Sequence, residues 1–122
     1  MADALIIDDN RETADALQQM LEVLGIPSRV AYGASPAISA LSSLTPRLVL
    51  LDINMPGVDG TEILAFLRRE PRLMSVPVIV ITSDDQPETK QRALQGGAVA
   101  VIIKPANFDL MEAALKKAGV QY

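Results

Sequence analysis

The chain contains neither cysteine nor histidine among its 122 residues. The lack of cysteine excludes disulfide bonds, thiolate metal sites and thiol nucleophiles. The lack of histidine excludes an imidazole general base and the usual zinc sites. The side chains that remain for metal binding are therefore oxygen ligands.

Aromatic residues and positive charge are also scarce. Aromatic residues make up 3% of the chain and tryptophan is missing, so the core must be aliphatic. The 15 acidic residues outnumber the 11 basic ones, which gives a formal net charge of −4. Because nucleic-acid-binding proteins usually carry a basic stripe, we expect no direct binding to nucleic acid.

Long hydrophobic runs are absent as well. The longest apolar run covers residues 98–103, whereas a membrane-spanning helix needs roughly 20 such residues. Asp3, Asp8 and Asp9 interrupt the region where a signal peptide would have its apolar segment. We therefore expect a soluble, cytoplasmic protein that makes no contact with a membrane.

Short apolar runs alternate along the chain with amphipathic segments. The apolar runs predict five strands, at residues 4–7, 28–32, 48–51, 78–81 and 99–103. Five helices are predicted between and after them: from residue 10 to Gly25, at 36–44, from the loop at 55–60 to Pro71, at 87–95, and at 107–118. We expect Ile38 and Phe108 to face the core from their helices.

The length and the element order predict one compact domain. Strands that are continuously apolar and alternate with helices indicate a parallel sheet covered on both faces. Right-handed crossovers leave few topologies for such a sheet. The predicted fold class is therefore α/β, a doubly wound five-stranded parallel sheet of the flavodoxin-like (β/α)5 type with strand order 2-1-3-4-5.

Polar residues stand at the carboxyl ends of four predicted strands, which is where sheets of this kind place their functional sites. Asp8 and Asp9 follow the first strand, Asp52 the third, Thr82 the fourth and Lys104 the fifth. Three carboxylates close together repel one another unless a cation lies among them, and Mg²⁺ suits such oxygen ligands. A carboxylate nucleophile with a metal ion, a lysine and a hydroxyl nearby is what phosphoryl transfer requires.

Four motifs, each closing a predicted strand, are similar to those of the receiver domain of two-component response regulators, including chemotaxis regulators. The resemblance covers essentially the whole chain. The motifs are Ile-Asp-Asp-Asn at 7–10, Leu-Asp-Ile-Asn-Met-Pro-Gly-Val-Asp-Gly at 51–60, Ile-Thr-Ser at 81–83 and Ile-Lys-Pro at 103–105.

The resemblance implies a role for each site residue. Asp52 would accept the phosphoryl group, Lys104 would bind a phosphoryl oxygen, and Thr82 would move toward the new group. Mg²⁺ would be held by four groups: the carboxylates of Asp8, Asp9 and Asp52 and the backbone carbonyl of Asn54. The bond between Lys104 and Pro105 is commonly cis in the family.

The resemblance also implies the biological setting. Residues 1–122 would form a single receiver domain without an output domain. It would be a signalling phosphoacceptor and not an enzyme, although it would assist its own phosphorylation and dephosphorylation. Because the chain has no histidine, the phosphodonor must be external, and the resemblance implies that it is a histidine kinase or a histidine phosphotransfer protein. The downstream target would be a protein whose identity the sequence does not name.

One position departs from the family pattern. Receivers usually carry tyrosine or phenylalanine on the fifth strand, three residues before the lysine, and this chain has Val101 there. Because valine has no ring to rotate, we hypothesise that signalling relies on the loop after Thr82 and on the helix at residues 87–95.

Each motif also has a purely structural interpretation. The run from Asp8 to Asn10 is typical of a helix N-cap, and Asp52 could begin a turn. The cluster after Thr82 could cap the next helix, and Lys104 could be a solvated charge. Three other classes of protein are alternatives. A haloacid-dehalogenase-type enzyme has an aspartate at the position of Asn54. A flavodoxin-like carrier has a Gly- or Ser-rich phosphate loop after the first strand, which this chain lacks. A degenerate receiver would bind partners without phosphorylation.

Overall fold

The computed structural model describes residues 3–122 and contains seven strands and five helices. The strands are β1 (Ala4–Ile7), β2 (Ser28–Ala31), β3 (Val49–Leu51), β4 (Asn54–Met55), β5 (Val58–Asp59), β6 (Val78–Thr82) and β7 (Ala100–Ile103). The helices are α1 (Arg11–Val23), α2 (Ala34–Leu41), α3 (Gly60–Arg69), α4 (Pro87–Gln95) and α5 (Phe108–Ala118).

Five of the strands form one parallel sheet in the order β2-β1-β3-β6-β7. Because β4 and β5 pair only with each other as a small antiparallel hairpin, the main sheet has the predicted order 2-1-3-4-5. The prediction of the doubly wound fold is therefore confirmed. The hairpin itself lies in the segment that the sequence predicted as a loop.

Aliphatic side chains on the two faces of the sheet form two core clusters, because successive residues of a strand point to opposite faces. In β1, Leu5 and Ile7 join the cluster beneath α2, α3 and α4, while Ala4 and Ile6 join the one beneath α1 and α5. Burying a side chain of this size contributes about 1.5–3 kcal/mol. The two clusters therefore hold the strands in place, and with them the backbone at the carboxyl edge of the sheet.

Local capping explains where three of the helices begin. Asn10, Asp59 and Asn107 precede α1, α3 and α5, and each side chain accepts a hydrogen bond from a backbone N–H of the first turn, at 2.9, 3.0 and 2.8 Å. A short polar side chain at this position satisfies a donor that the helix itself leaves unpaired. Gly119 ends α5 with a φ of 73°, a conformation that favours glycine.

Two sequence expectations about the core are wrong. Ile38 is 37% exposed because the short helix α2 buries Ala37 and Leu41, one turn apart, and Ile38 lies beside that line. Phe108 is 42% exposed because it is the first residue of α5, and the buried line of this helix starts only at Met111. Within residues 3–122, no helix has both the length and the apolar character needed to cross a membrane.

Candidate functional site

The carboxyl edge of the sheet brings the sequence-predicted site residues together. Hydrogen bonding continues one residue past the strands: the backbone N–H of Asp52 donates to the carbonyl of Ile7 at 2.9 Å, and that of Lys104 donates to the carbonyl of Thr82 at 2.8 Å. This extension holds Asp52 beside the end of β1 and Lys104 beside the end of β6. The order of the strands thus converts residues far apart in sequence into neighbours.

Three carboxylates form a compact acidic group at this edge. Asp8, Asp9 and Asp52 each offer one oxygen atom, and the three atoms lie within 4.8 Å of one another. Asp8 is 1% exposed and Asp52 is 6% exposed, whereas Asp9 lies at the surface. Carboxylates at this separation repel one another, so the group needs compensating positive charge.

Lys104 supplies positive charge to the two buried carboxylates. Its Nζ atom lies 3.0 Å from Oδ2 of Asp8 and 3.4 Å from Oδ2 of Asp52, and 18% of its side chain is exposed. The peptide bond between Lys104 and Pro105 is cis, as the resemblance implied. A single lysine does not balance the charge of three carboxylates, so the site can accept a cation.

Burial raises the pKa of the Asp52 carboxyl above its ordinary value. The negative charge of Asp8 raises the pKa further, whereas a hydrogen bond from the backbone N–H of Asn54, at 3.0 Å, and the charge of Lys104 lower it. Asp52 therefore combines poor solvation with directed hydrogen bonds, which is characteristic of functional carboxylates.

The hydroxyl of Thr82 is buried and held by two donors. Its Oγ1 atom accepts a hydrogen bond from the side-chain amide of Asn54 and another from the backbone N–H of Asp84, both at 3.1 Å. Thr82 has no exposed surface. The sequence predicted the position of Thr82 but gave no sign that the Asn54 side chain contacts it, because residues 54 and 82 meet only in the folded sheet.

The segment between Asp52 and α3 folds back tightly against its own start. Gly60 donates its backbone N–H to the carbonyl of Ile53 at 3.0 Å. A Cβ atom added at Gly60 would lie 2.3 Å from the Cα atom of Ile53, closer than any side chain allows. The sequence shows Gly60 only as part of the motif at 51–60, whereas this close approach explains why the position requires glycine.

Helix capping accounts for some of the motif residues and not for others. Asn10, and neither Asp8 nor Asp9, caps α1, while Asp8 accepts a hydrogen bond from the backbone N–H of Asn10 at 2.9 Å. Lys104 is paired with carboxylates and is not a solvated surface charge. The capping interpretation therefore holds for Asn10 and for Asp84, whose carboxylate accepts the backbone N–H of Gln86 at the start of α4 at 2.9 Å.

Comparison with known proteins identifies the family. Residues 4–116 match the family model described as the response regulator receiver domain. The probable methanogenesis regulatory protein FilR2 of Methanothrix harundinacea is 32% identical over 114 residues, which cover 86% of this chain and 73% of that protein.

Solved structures show the same fold. The signal receiver domain of the DNA-binding response regulator MerR from Colwellia psychrerythraea superimposes with a TM-score of 0.89 at 32% identity, covering 99% of this chain and 100% of that one. The chemotaxis protein CheY4 of Vibrio cholerae superimposes with a TM-score of 0.87 at 24% identity, covering 97% and 98%. At that identity the second similarity supports the fold alone.

The fold and the site define a signalling module of the phosphoacceptor class. The chain belongs to the response regulator receiver domain family. Receiver domains are phosphorylated by histidine kinases in two-component systems, and this chain has that phosphoacceptor role in signal transduction.

Proposed function

We propose that Asp52 is the residue that accepts the phosphoryl group. The observation that carries the proposal is its environment: a buried carboxylate at the end of a central strand, grouped with Asp8 and Asp9 and 3.4 Å from the Nζ atom of Lys104. Asp8 is less exposed than Asp52 and already accepts the shorter bond from Lys104, at 3.0 Å. Asp52 is the more available nucleophile of the two.

Lys104 and Thr82 have complementary roles in this proposal. The ammonium of Lys104 would exchange one carboxylate contact for an oxygen of the bound phosphoryl group, where it would offset negative charge. The oxygen of Thr82 already accepts two hydrogen bonds, so the capacity left to it is to donate its hydroxyl proton. A phosphoryl oxygen on Asp52 would be the acceptor.

The acidic group fits Mg²⁺ by its chemistry. Its ligands are carboxylate oxygens without histidine or cysteine, and the charge of Lys104 does not neutralise them. We propose that Asp8, Asp9, Asp52 and the backbone carbonyl of Asn54 hold the ion, with water completing the set because Mg²⁺ dehydrates reluctantly. The bound ion would supply positive charge to the carboxylates and to the transferred group.

The proposed transfer takes a phosphoryl group from a histidine kinase or a histidine phosphotransfer protein. An oxygen of Asp52 forms the new P–O bond while the P–N bond of the donor phosphohistidine breaks, and the imidazole leaves and takes up a proton. To reset the switch, water attacks the phosphorus and the bond between phosphorus and the Asp52 oxygen breaks. Inorganic phosphate leaves, and the Asp52 carboxylate is restored. The same side chains would assist both steps, without making the chain an enzyme acting on a separate substrate.

The phosphorylated form would signal by binding a downstream protein. The excess of acidic residues and the formal net charge of −4 favour a protein target over nucleic acid. The prediction that residues 1–122 form one receiver domain stays a prediction.

The test is phosphorylation by acetyl phosphate, with and without Mg²⁺, read by intact mass. We expect the wild-type chain to gain one phosphoryl group only when Mg²⁺ is present, and Asp52→Asn to gain none because it lacks the nucleophilic oxygen. The matched control is Asp109→Asn, which changes an exposed carboxylate on α5 and should behave as wild type. Phosphorylation of Asp52→Asn at the wild-type rate would refute the assignment. No gain in any variant would favour a receiver that binds its partner without phosphorylation.

A further inference from the structure

An open groove lies between the β4–β5 hairpin and α4. It has a volume of about 520 Å³ and is lined by residues 53–59 and by Arg92 of α4. Asn54 connects the groove to the site, because its backbone N–H donates to Oδ1 of Asp52 and its side-chain amide donates to Oγ1 of Thr82. A small molecule in the groove would therefore lie next to the proposed phosphoacceptor.

Arg92 brings positive charge to a rim that is otherwise acidic. A hydrogen bond from Thr61 lowers the pKa of the Asp59 carboxyl, and the charge of Arg92 lowers it further. The hydroxyl of Thr89 and the charge of Arg92 lower the pKa of Asp84 in the same direction. The guanidinium therefore lies within electrostatic reach of two carboxylates, one at the start of α3 and one before α4.

The guanidinium of Arg92 is not engaged by the rest of the protein. Within residues 3–122 its side chain forms no ion pair and donates no hydrogen bond. The guanidinium groups of Arg68 and Arg72, in contrast, each donate to backbone carbonyls at 2.9–3.0 Å. All the N–H donors of Arg92 are thus available to a ligand in the groove.

A guanidinium matches a carboxylate, because its planar fork can donate two parallel hydrogen bonds to the two oxygens. An acyl phosphate combines a phosphoryl group with such a carboxylate as its leaving group. An oxygen of Asp52 would form the new bond to phosphorus while the bond between phosphorus and the acyl oxygen breaks, and that electron pair would leave with the carboxylate. Lys104 already contacts Asp8 and Asp52, so among the residues that line the groove Arg92 is the cation for the acyl end.

We propose that Arg92 is a donor-binding residue that favours small acyl phosphates, by holding their acyl oxygens in the groove while Asp52 takes the phosphoryl group. The inference rests on the proposed role of Asp52 and adds a class of donor that needs no partner protein. Arg92 also lies in the last turn of α4, where a cation offsets the partial negative charge of the helix end. That structural role would change stability and not the choice of donor.

The test measures initial rates of phosphorylation by acetyl phosphate and by phosphoramidate, at one Mg²⁺ concentration and read by intact mass. Phosphoramidate releases ammonia, so it has no carboxylate for Arg92 to bind. Arg92→Gln should lower the rate with acetyl phosphate by about fivefold and the rate with phosphoramidate much less, so that the ratio of the two rates falls. Arg92→Lys keeps the charge and should restore part of that ratio. High salt should weaken the effect of Arg92→Gln, because it screens exposed charges.

The matched control is Lys90→Gln, which removes the same charge from an exposed position of the same helix. Residues two positions apart do not face the same side of a helix, so this variant should keep the wild-type ratio. A wild-type ratio in Arg92→Gln, or an equal fall in Lys90→Gln, would overturn the role of Arg92 and leave that of Asp52 intact. A wild-type chain that neither donor phosphorylates would refute the proposed function, and the inference with it.

Discussion

Replacement of Lys104 by methionine tests how the fold tolerates two buried carboxylates. Methionine retains an unbranched apolar stem but removes the ammonium that lies 3.0 Å from Asp8 and 3.4 Å from Asp52. At an effective dielectric constant of about 20, each of these attractions amounts to about 5 kcal/mol. The cost of removing the ammonium from water offsets much of that sum, so the attraction alone overstates the effect.

The larger consequence is the charge left behind. Without Lys104, the buried carboxylates of Asp8 and Asp52 face each other and Asp9, and no other ion pair to them exists among residues 3–122. Removal of one partner from a buried ion pair typically costs about 3–5 kcal/mol. Because 18% of the Lys104 side chain is exposed, we expect a loss near the lower end, about 3 kcal/mol. For a domain of this size, that corresponds to a fall in melting temperature of about 10 °C.

The measurement is urea unfolding at pH 7 in the presence of a chelator, followed by far-ultraviolet circular dichroism because the chain lacks tryptophan. Lys117→Met, at an exposed position on α5, is the matched control and should change the free energy of unfolding little. If the carboxylates hold Mg²⁺ as proposed, added MgCl₂ should narrow the gap in free energy of unfolding between Lys104→Met and wild type. The acidic group without its ammonium should bind the cation more tightly, and a cation that binds only the folded state stabilises it more as its affinity rises. Equal losses in the two lysine variants would refute the reasoning that Lys104 compensates the acidic group.

Two further predictions concern Asp52 and Gly60. Asp52→Asn should raise the free energy of unfolding without Mg²⁺ at pH 7, because burial raises the pKa of Asp52 and its ionised form therefore opposes folding. The folded state holds this proton more tightly than the unfolded state, so the advantage of Asn over Asp should shrink as the pH falls through the raised pKa. Urea titrations at several pH values check this, and an advantage that grows toward low pH would contradict it. Gly60→Ala should destabilise the domain by about 3 kcal/mol, since the added methyl meets the backbone of Ile53. Gly96→Ala is its control, because the nearest atom there, 2.9 Å away, is the end of the Leu64 side chain, which can move. Similar losses in both glycine variants, measured by thermal unfolding, would show that the backbone contact is not the cause.

The position of Val101 bears on how signals leave the site. Val101 is partly buried and packs against the core cluster beneath α2, α3 and α4, as an ordinary aliphatic side chain does. It offers neither a ring nor a polar group for a switch. The hydrogen bonds of Asp84 with Thr82 and Thr89 lie in the loop after Thr82 and at the start of α4. This is the region on which the sequence-based hypothesis expects signalling to rely.

Local pattern was enough to predict the architecture. Alternation of apolar runs with amphipathic segments indicated five strands and five helices. The right-handed crossover rule left few topologies, and the doubly wound order chosen among them, 2-1-3-4-5, is the one observed. Because parallel strands end at the same edge of a sheet, the residues after those strands could be grouped from the sequence alone. Asp8, Asp52, Thr82 and Lys104 were all identified in this way.

Only the tertiary structure decided which of those residues touch. Lys104 and Asp8 are separated by 96 positions in the chain, and Asn54 and Thr82 by 28. No local signal predicts such contacts, because they depend on how strands align in register and how loops fold over the edge. The same applies to Phe108 and Ile38, whose spacing fits a buried face but whose helices bury other residues. Residue types and their periodicity thus determined the fold and the members of the site. Packing across the sheet determined the bonds between those members, including the link from Thr82 through Asp84 to α4.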